Sequence, residues 1–260
     1  MIGGWWRRQR DARLLRRRAI PLALWQTTLS RYPFIAVRDD AQLERLRTLA
    51  ALFLARKEFT VAGGLELSDE IAVAIAAQAC LPVLELGLAA YEGFVGIVVH
   101  PDEVVARREV TDEHGIVHRF DEVLTGEAME GGPVMLSWND VARAGSSATS
   151  GYNVVIHEFV HVLDMHDGLV DGMPPLPDAR SRKHWRLVMQ AAFERLRRNL
   201  DAGDAGFLDP YGAESIEEFF PVAAEAFFVA PQALREEQPA LYELFAGYFR
   251  QDPAAFFEQT

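Results

Sequence analysis

Apolar residues recur every three or four positions through 39–57, at Leu43, Leu46, Leu49, Phe53 and Leu54, and Asp39-Asp40 opens the stretch as a helix start. A second helical stripe is predicted over 68–80, behind the capping-type Ser68-Asp69-Glu70. The pattern then changes. Gly96–His100, Gly115–Phe120 and Gly132–Trp138 are short, rich in β-branched or aromatic residues and bounded by Gly, Pro or Asp, which predicts strands of a small sheet. A Gly/Ser-rich linker over 145–151 leads into the apolar run that begins at Tyr152, predicted to be a helix with Ser150 or Asn153 as its cap.

Beyond Asp164 the stretch Met165–Asp178 holds two Gly and three Pro and cannot sustain a regular element. A long amphipathic helix is expected over Ser181–Leu200, and a C-terminal helical region from Ser215, interrupted at Pro231 and Pro239. These segments together predict an α+β architecture with a small mixed sheet and extra helices at both ends.

Half of the 260 residues are hydrophobic, ample for a core. No run approaches the roughly 20 apolar residues of a membrane span, so no transmembrane segment is expected. Residues 1–18 carry seven Arg against the single acid Asp11, a charge of +6, which leaves −18 on the remainder of a chain whose net charge is −12. Such an acidic body argues against direct nucleic-acid binding. The basic head lacks the apolar core of a secretory signal, so residues 1–18 read as a solvated terminal segment and 19–260 as one domain. A single cysteine, Cys80 among apolar neighbours, excludes an internal disulfide, and a cytoplasmic setting is expected.

His157-Glu158-Phe159-Val160-His161 lies within the apolar helix. Residues four apart stand above one another on a helix, so His157 and His161 can converge on one zinc ion. Glu158 then lies beside the ion as a general base for a water whose pKa the metal has lowered. Two coincidental histidines and a carboxylate in so apolar a segment would instead stay unsatisfied. The longer motif with a third histidine is excluded, because it needs Gly at 164 and His at 167, where Asp164 and Asp167 stand. His166 reads as a solvated residue past the helix end. Asp164 either supports the ligand face or bonds nearby backbone. A third ligand is therefore sought in the acidic cluster 214–225. Glu218 and Glu225 are two helical turns apart on one face, so one could bind metal while the other holds an imidazole through its free N–H. Ser215-x-x-Glu218 is also a capping box, which would give Glu218 a purely structural role.

Several segments resemble the Mlc titration factor A family of bacterial zinc peptidases, whose catalytic core is similar to the anthrax lethal factor protease domain. The resemblance rests on His157–Asp164, on Asp209-Pro210-Tyr211-Gly212-Ala213 followed by Glu218-Phe219-Phe220, on Cys80–Leu88 and on Gln251-Asp252-Pro253. It implies a zincin-like fold and one zinc ion per chain, held by His157, His161 and Glu218, with Tyr211 as the phenol near the oxyanion. It further implies aminopeptidase-like activity on short peptides and binding to a Mlc-type repressor of the glucose phosphotransferase system. The rival reading is a regulatory protein that sequesters a repressor and carries a vestigial or modulatory zinc site. Pro221, three residues after Glu218, lacks an N–H and would kink an established helix, so a start shifted toward Phe220 is also open, with Glu225 as the alternative ligand. The strand ending at Trp138 is expected either at a sheet edge, where an extended peptide could pair, or inside the core.

Overall fold

The computed structural model describes the chain apart from residues 1–10, 13, 17, 112–116, 125, 129–131, 147–150, 205 and 258–260. Most of the basic head thus lies outside the described residues. Its remainder is helical rather than simply solvated, with Leu15 packed on the core and Arg56 donating to Asp11 at 2.6 Å.

Helices α1 (Leu22–Arg31), α2 (Asp40–Arg56) and α3 (Asp69–Cys80) form the N-terminal portion. The two predicted starts are real caps: Asp39 accepts from the Gln42 N–H at 2.8 Å, and Ser68 from the Ile71 N–H at 3.2 Å. Helix α3 is buried from Val73 to Cys80, so Cys80 is a core residue, and burial pushes its thiol well above the usual range.

Four strands make the main sheet, β1 (Glu58–Val61), β2 (Gly96–His100), β5 (Gly126–Ala128) and β6 (Val134–Ser137), in the order β1-β2-β6-β5. The first two pairings are parallel, with Phe59 opposite Ile97 and Ile97 opposite Val134, and β5 runs antiparallel to β6. Alternation appears as expected, since Ile97, Val99, Val134 and Leu136 are buried. Among the described residues, strands β3 (Val104–Thr111) and β4 (Val117–Leu124) pair only with each other, in antiparallel register. The expected strand over 115–120 falls on β4, its first two residues lying outside the described ones.

Of the two placements left open for the strand before Trp138, the interior one holds: β6 lies between β2 and β5, and among the described residues the edge on that side belongs to β5. Trp138 does not end β6 but starts helix α4 (Trp138–Arg143), because Ser137 caps it by accepting from the Asp140 N–H at 3.4 Å.

Helix α5 (Val154–Asp164) is buried along most of its length. Its Phe159 meets Phe53, Tyr91 and Phe94 at ring-centroid distances of 5.6, 5.1 and 5.5 Å, which clamps one helix face and leaves the opposite face to the histidines. Helix α6 (Ala179–Asp201) starts at a capping Asp178, and α7 (Ile216–Val229), α8 (Pro231–Glu237), α9 (Pro239–Phe249) and the short α10 (Ala254–Phe257) follow. Pro231 and Pro239 each occupy a first helical position, where a missing N–H deprives nothing. Among the described residues no helix is long and apolar enough to cross a membrane.

Candidate metal centre

The site is built from the cap of α5 upward. The Asn153 side chain accepts from the Ile156 N–H at 2.9 Å, and Ser150, the other cap candidate, lies outside the described residues. Asn153 is itself held on two sides. Its Nδ2 donates to Gln78 Oε1 on α3 at 2.8 Å, and its backbone N–H donates to Glu225 Oε2 on α7. One turn into the helix, the rings of His157 and His161 share one face, edge to face with centroids 5.0 Å apart.

Glu218 approaches from α7. The start of this helix is not shifted: Ser215 caps it by accepting from the Glu218 N–H at 3.2 Å, and Pro221 sits within the second turn. Proline inside a helix costs about 3 kcal/mol. Here Phe219, Phe220, Phe227 and Phe228 are all fully buried, at roughly 1.5 to 3 kcal/mol each, which outweighs it. Glu218 Oε2 consequently lies 3.2 Å from His157 Nε2 and 3.3 Å from His161 Nε2.

Those separations suit a metal. Ligand atoms bound tetrahedrally at about 2.0–2.1 Å are themselves separated by about 3.3 Å. The donor chemistry agrees, because His157 Nδ1 lies 2.7 Å from Glu225 Oε1. Where the imidazole donates its one proton there, Nε2 presents a bare lone pair to the lone pairs of Glu218, an arrangement that a second proton on the ring or a bound cation would satisfy. The same crowding shows in the acidities. Burial would push the His157 imidazolium down, but hydrogen bonds to Glu218 and Glu225 outweigh it and hold its pKa well above the usual value. Burial would likewise raise Glu218, yet the two histidines hold it well below the carboxylate range.

Glu158 is only 5% exposed, and burial raises its pKa against the opposing pull of His157 and His161. Strand β5 lies directly against it: a Cβ at Gly126 would sit 2.5 Å from Glu158 Oε1. Tyr211 lies on the 3-10 turn Pro210–Ala213, where Asp209 accepts its N–H at 2.9 Å. Its ring centroid is 6.0 Å from that of His157, and at 43% exposure it faces the solvent side of the site.

Asp164 turns away from the histidines. Its carboxylate accepts from the Gly172 and Met173 N–H groups, both at 2.9 Å, so of its two expected roles it performs the backbone one and pins the loop 165–178. Burial pushes its pKa up to about 6 against those two bonds. His166 is exposed and outside the cluster of His157, His161 and Glu218, whose ligand atoms lie within 4.8 Å of one another. Sequence reasoning overlooked Gln78 and Gly126. The sole hint of Gln78 was one amide in the otherwise apolar Ile71–Cys80 stretch.

The description of glucose-regulated metallo-peptidase M90 fits residues 4–250. The chain is 37% identical over 237 residues to Mlc titration factor A of Serratia proteamaculans, covering 90% of this chain and 89% of that one. It is 36% identical over 234 residues to the protein of the same name from Pectobacterium atrosepticum, covering 89% and 87%. With the Edwardsiella ictaluri protein of that name it shares 37% over 224 residues, 85% of each chain. A match of this extent, over a chain that gathers two histidines and a glutamate beside a buried carboxylate, makes this protein a member of the glucose-regulated metallopeptidase M90 family.

Proposed function

We propose that the protein is a zinc-dependent peptidase of zincin-like fold, with one zinc ion held by His157, His161 and Glu218, Glu158 as the base and Tyr211 as the oxyanion donor. One observation carries the proposal: Glu218 Oε2 stands 3.2 and 3.3 Å from the Nε2 atoms of two imidazoles, one of which faces Glu225 through its Nδ1. Zinc in this set would supply Lewis acidity, lowering the pKa of a water and polarising the scissile carbonyl.

The chain's own groups do the rest. Glu158, made more basic by burial, accepts the proton as the water oxygen bonds to the carbonyl carbon, then returns it to the amide nitrogen as the C–N bond breaks. The Tyr211 hydroxyl donates to the oxygen that gains charge, an effect typically worth about 3 kcal/mol. An extended peptide would pair along the free edge of β5, which runs beside Glu158. Short peptides cleaved in an aminopeptidase-like manner, in the cytoplasm, are the substrates this reading favours.

The shared name of the relatives favours a second role, binding of a Mlc-type repressor. The two roles separate experimentally. Glu158→Ala is expected to keep its zinc and lose peptide hydrolysis; zinc retained together with cleavage at the wild-type rate refutes the assignment. If the zinc-loaded wild type binds a repressor but cleaves nothing in a broad peptide library, the protein is a sequestering factor instead.

A further inference from the structure

Behind the metal helix lies a cavity of about 660 Å³, to which none of His157, Glu158, His161, Tyr211 and Glu218 contributes. Leu163 and His166, from the far end of α5 and the turn after it, form part of its wall. Opposite them stand Leu176 from the pinned loop, Trp185 from α6 and Leu244 from α9, so most of the lining is apolar. The volume suits a drug-sized molecule rather than a few waters.

The polar groups around this apolar wall are unbalanced. His166, His184 and Arg250 carry nitrogen donors, against the single carboxylate of Glu243. Among the described residues none of the three donor side chains is engaged in a hydrogen bond or an ion pair. Arg250 is also the one described non-glycine residue with positive φ, at φ 56 and ψ 36, in the left-handed position that ends α9. Glycine is the ordinary residue there, so the backbone gains nothing from arginine. What arginine adds is a permanent positive charge at the cavity.

We propose that this cavity binds a small amphiphilic carboxylate, its apolar body between Leu163, Leu176, Trp185 and Leu244 and its carboxylate on Arg250, aided by His166 and His184. Arginine meets a carboxylate through two parallel N–H donors, which a neutral ligand of the same body cannot exploit.

Two substitutions test the proposal without threatening the fold. Gly247 lines the cavity on α9, has ordinary φ, and a Cβ there meets nothing within 4 Å, so Gly247→Phe fills the space from a helical position. Arg250→Gly removes the charge and relieves the left-handed backbone. Decanoate and 1-decanol, below their aggregation limits, are titrated calorimetrically into the zinc-loaded full chain. Expected are one decanoate per chain, bound about tenfold tighter than decanol, a preference erased in Arg250→Gly, and loss of both ligands in Gly247→Phe. The proposal is overturned if decanoate does not bind, if decanol binds equally well to the wild type, or if decanoate binding survives Gly247→Phe, as a carboxylate taken up at the metal would. Because the readout is binding, it stands or falls independently of peptide hydrolysis.

Discussion

Glu225→Gln removes one charge and almost no volume from a residue whose side chain is 3% exposed. In the wild type one carboxylate oxygen faces His157 Nδ1 at 2.7 Å and the other accepts the Asn153 N–H. A glutamine can accept only one of those bonds, and its amide N–H₂ must then point at the other donor. Loss of a charge-assisted bond costs about 1.5 to 3 kcal/mol, and a buried donor left unpaired costs about 1 to 3 more. If the amide oxygen keeps His157, the helix cap suffers through Asn153 and the chain loses stability. If it keeps Asn153, the imidazole loses the partner that fixes its tautomer and directs Nε2 toward Glu218. Groups that orient a ligating histidine in this way typically contribute about 10- to 100-fold in metal affinity. We expect the zinc Kd to rise by that factor, read by competition with a chromophoric chelator, and urea unfolding to show reduced stability. A zinc Kd within about twofold of wild type would refute the orienting role and leave Glu225 only as the acceptor that holds the Asn153 cap.

Gly126→Ala would drive a methyl to within 2.5 Å of Glu158 Oε1; displacing the base is expected to lower kcat/KM about 100-fold with zinc stoichiometry unchanged, and wild-type activity would show that β5 does not confine the carboxylate. Phe159→Ala empties the clamp against Phe53, Tyr91 and Phe94 and is expected to cost about 3 to 5 kcal/mol in urea unfolding; a cost below about 1 kcal/mol would mean the clamp does not hold α5. Asp164, whose folded-state pKa is pushed from 3.8 to about 6 by burial, with Asp171 raising and His161 lowering it, favours the folded state fully below pH 4 and progressively less up to pH 6, a change of about 3 kcal/mol; the stability difference between wild type and Asp164→Asn should shift by that order between pH 4 and 7, and a pH-independent difference would refute it.

The pentad His157–His161 was legible because its chemistry is local: four residues on a helix decide which side chains share a face. Helix starts at Asp39 and Ser68 were legible for the same reason. Strands β1 and β5 were not, since four and three half-exposed residues carry too little alternation to register. Nor could spacing decide between Glu218 and Glu225, because residues seven apart lie on one face and only packing sets which oxygen meets which nitrogen. Pro221 misled in the opposite direction. A local rule left a displaced helix start open, and burial of the flanking phenylalanines overrode it.

That override has a chemical consequence. Because α7 runs unbroken through Pro221, Glu218 and Glu225 are held at a fixed rise of about 10 Å, and His157 lies between them with one ring nitrogen toward each. A helix starting at Phe220 would have left Glu218 on a loop, free to turn to solvent while Glu225 alone kept its hold on Nδ1. The imidazole would then have been oriented with nothing opposite Nε2. Holding both carboxylates on one rigid element couples the tautomer of His157 to the position of the third donor. The hydrogen bonds from Asn153 to Gln78 and Glu225 extend that coupling to α3, so the N-terminal helices help position the metal site as well as the core.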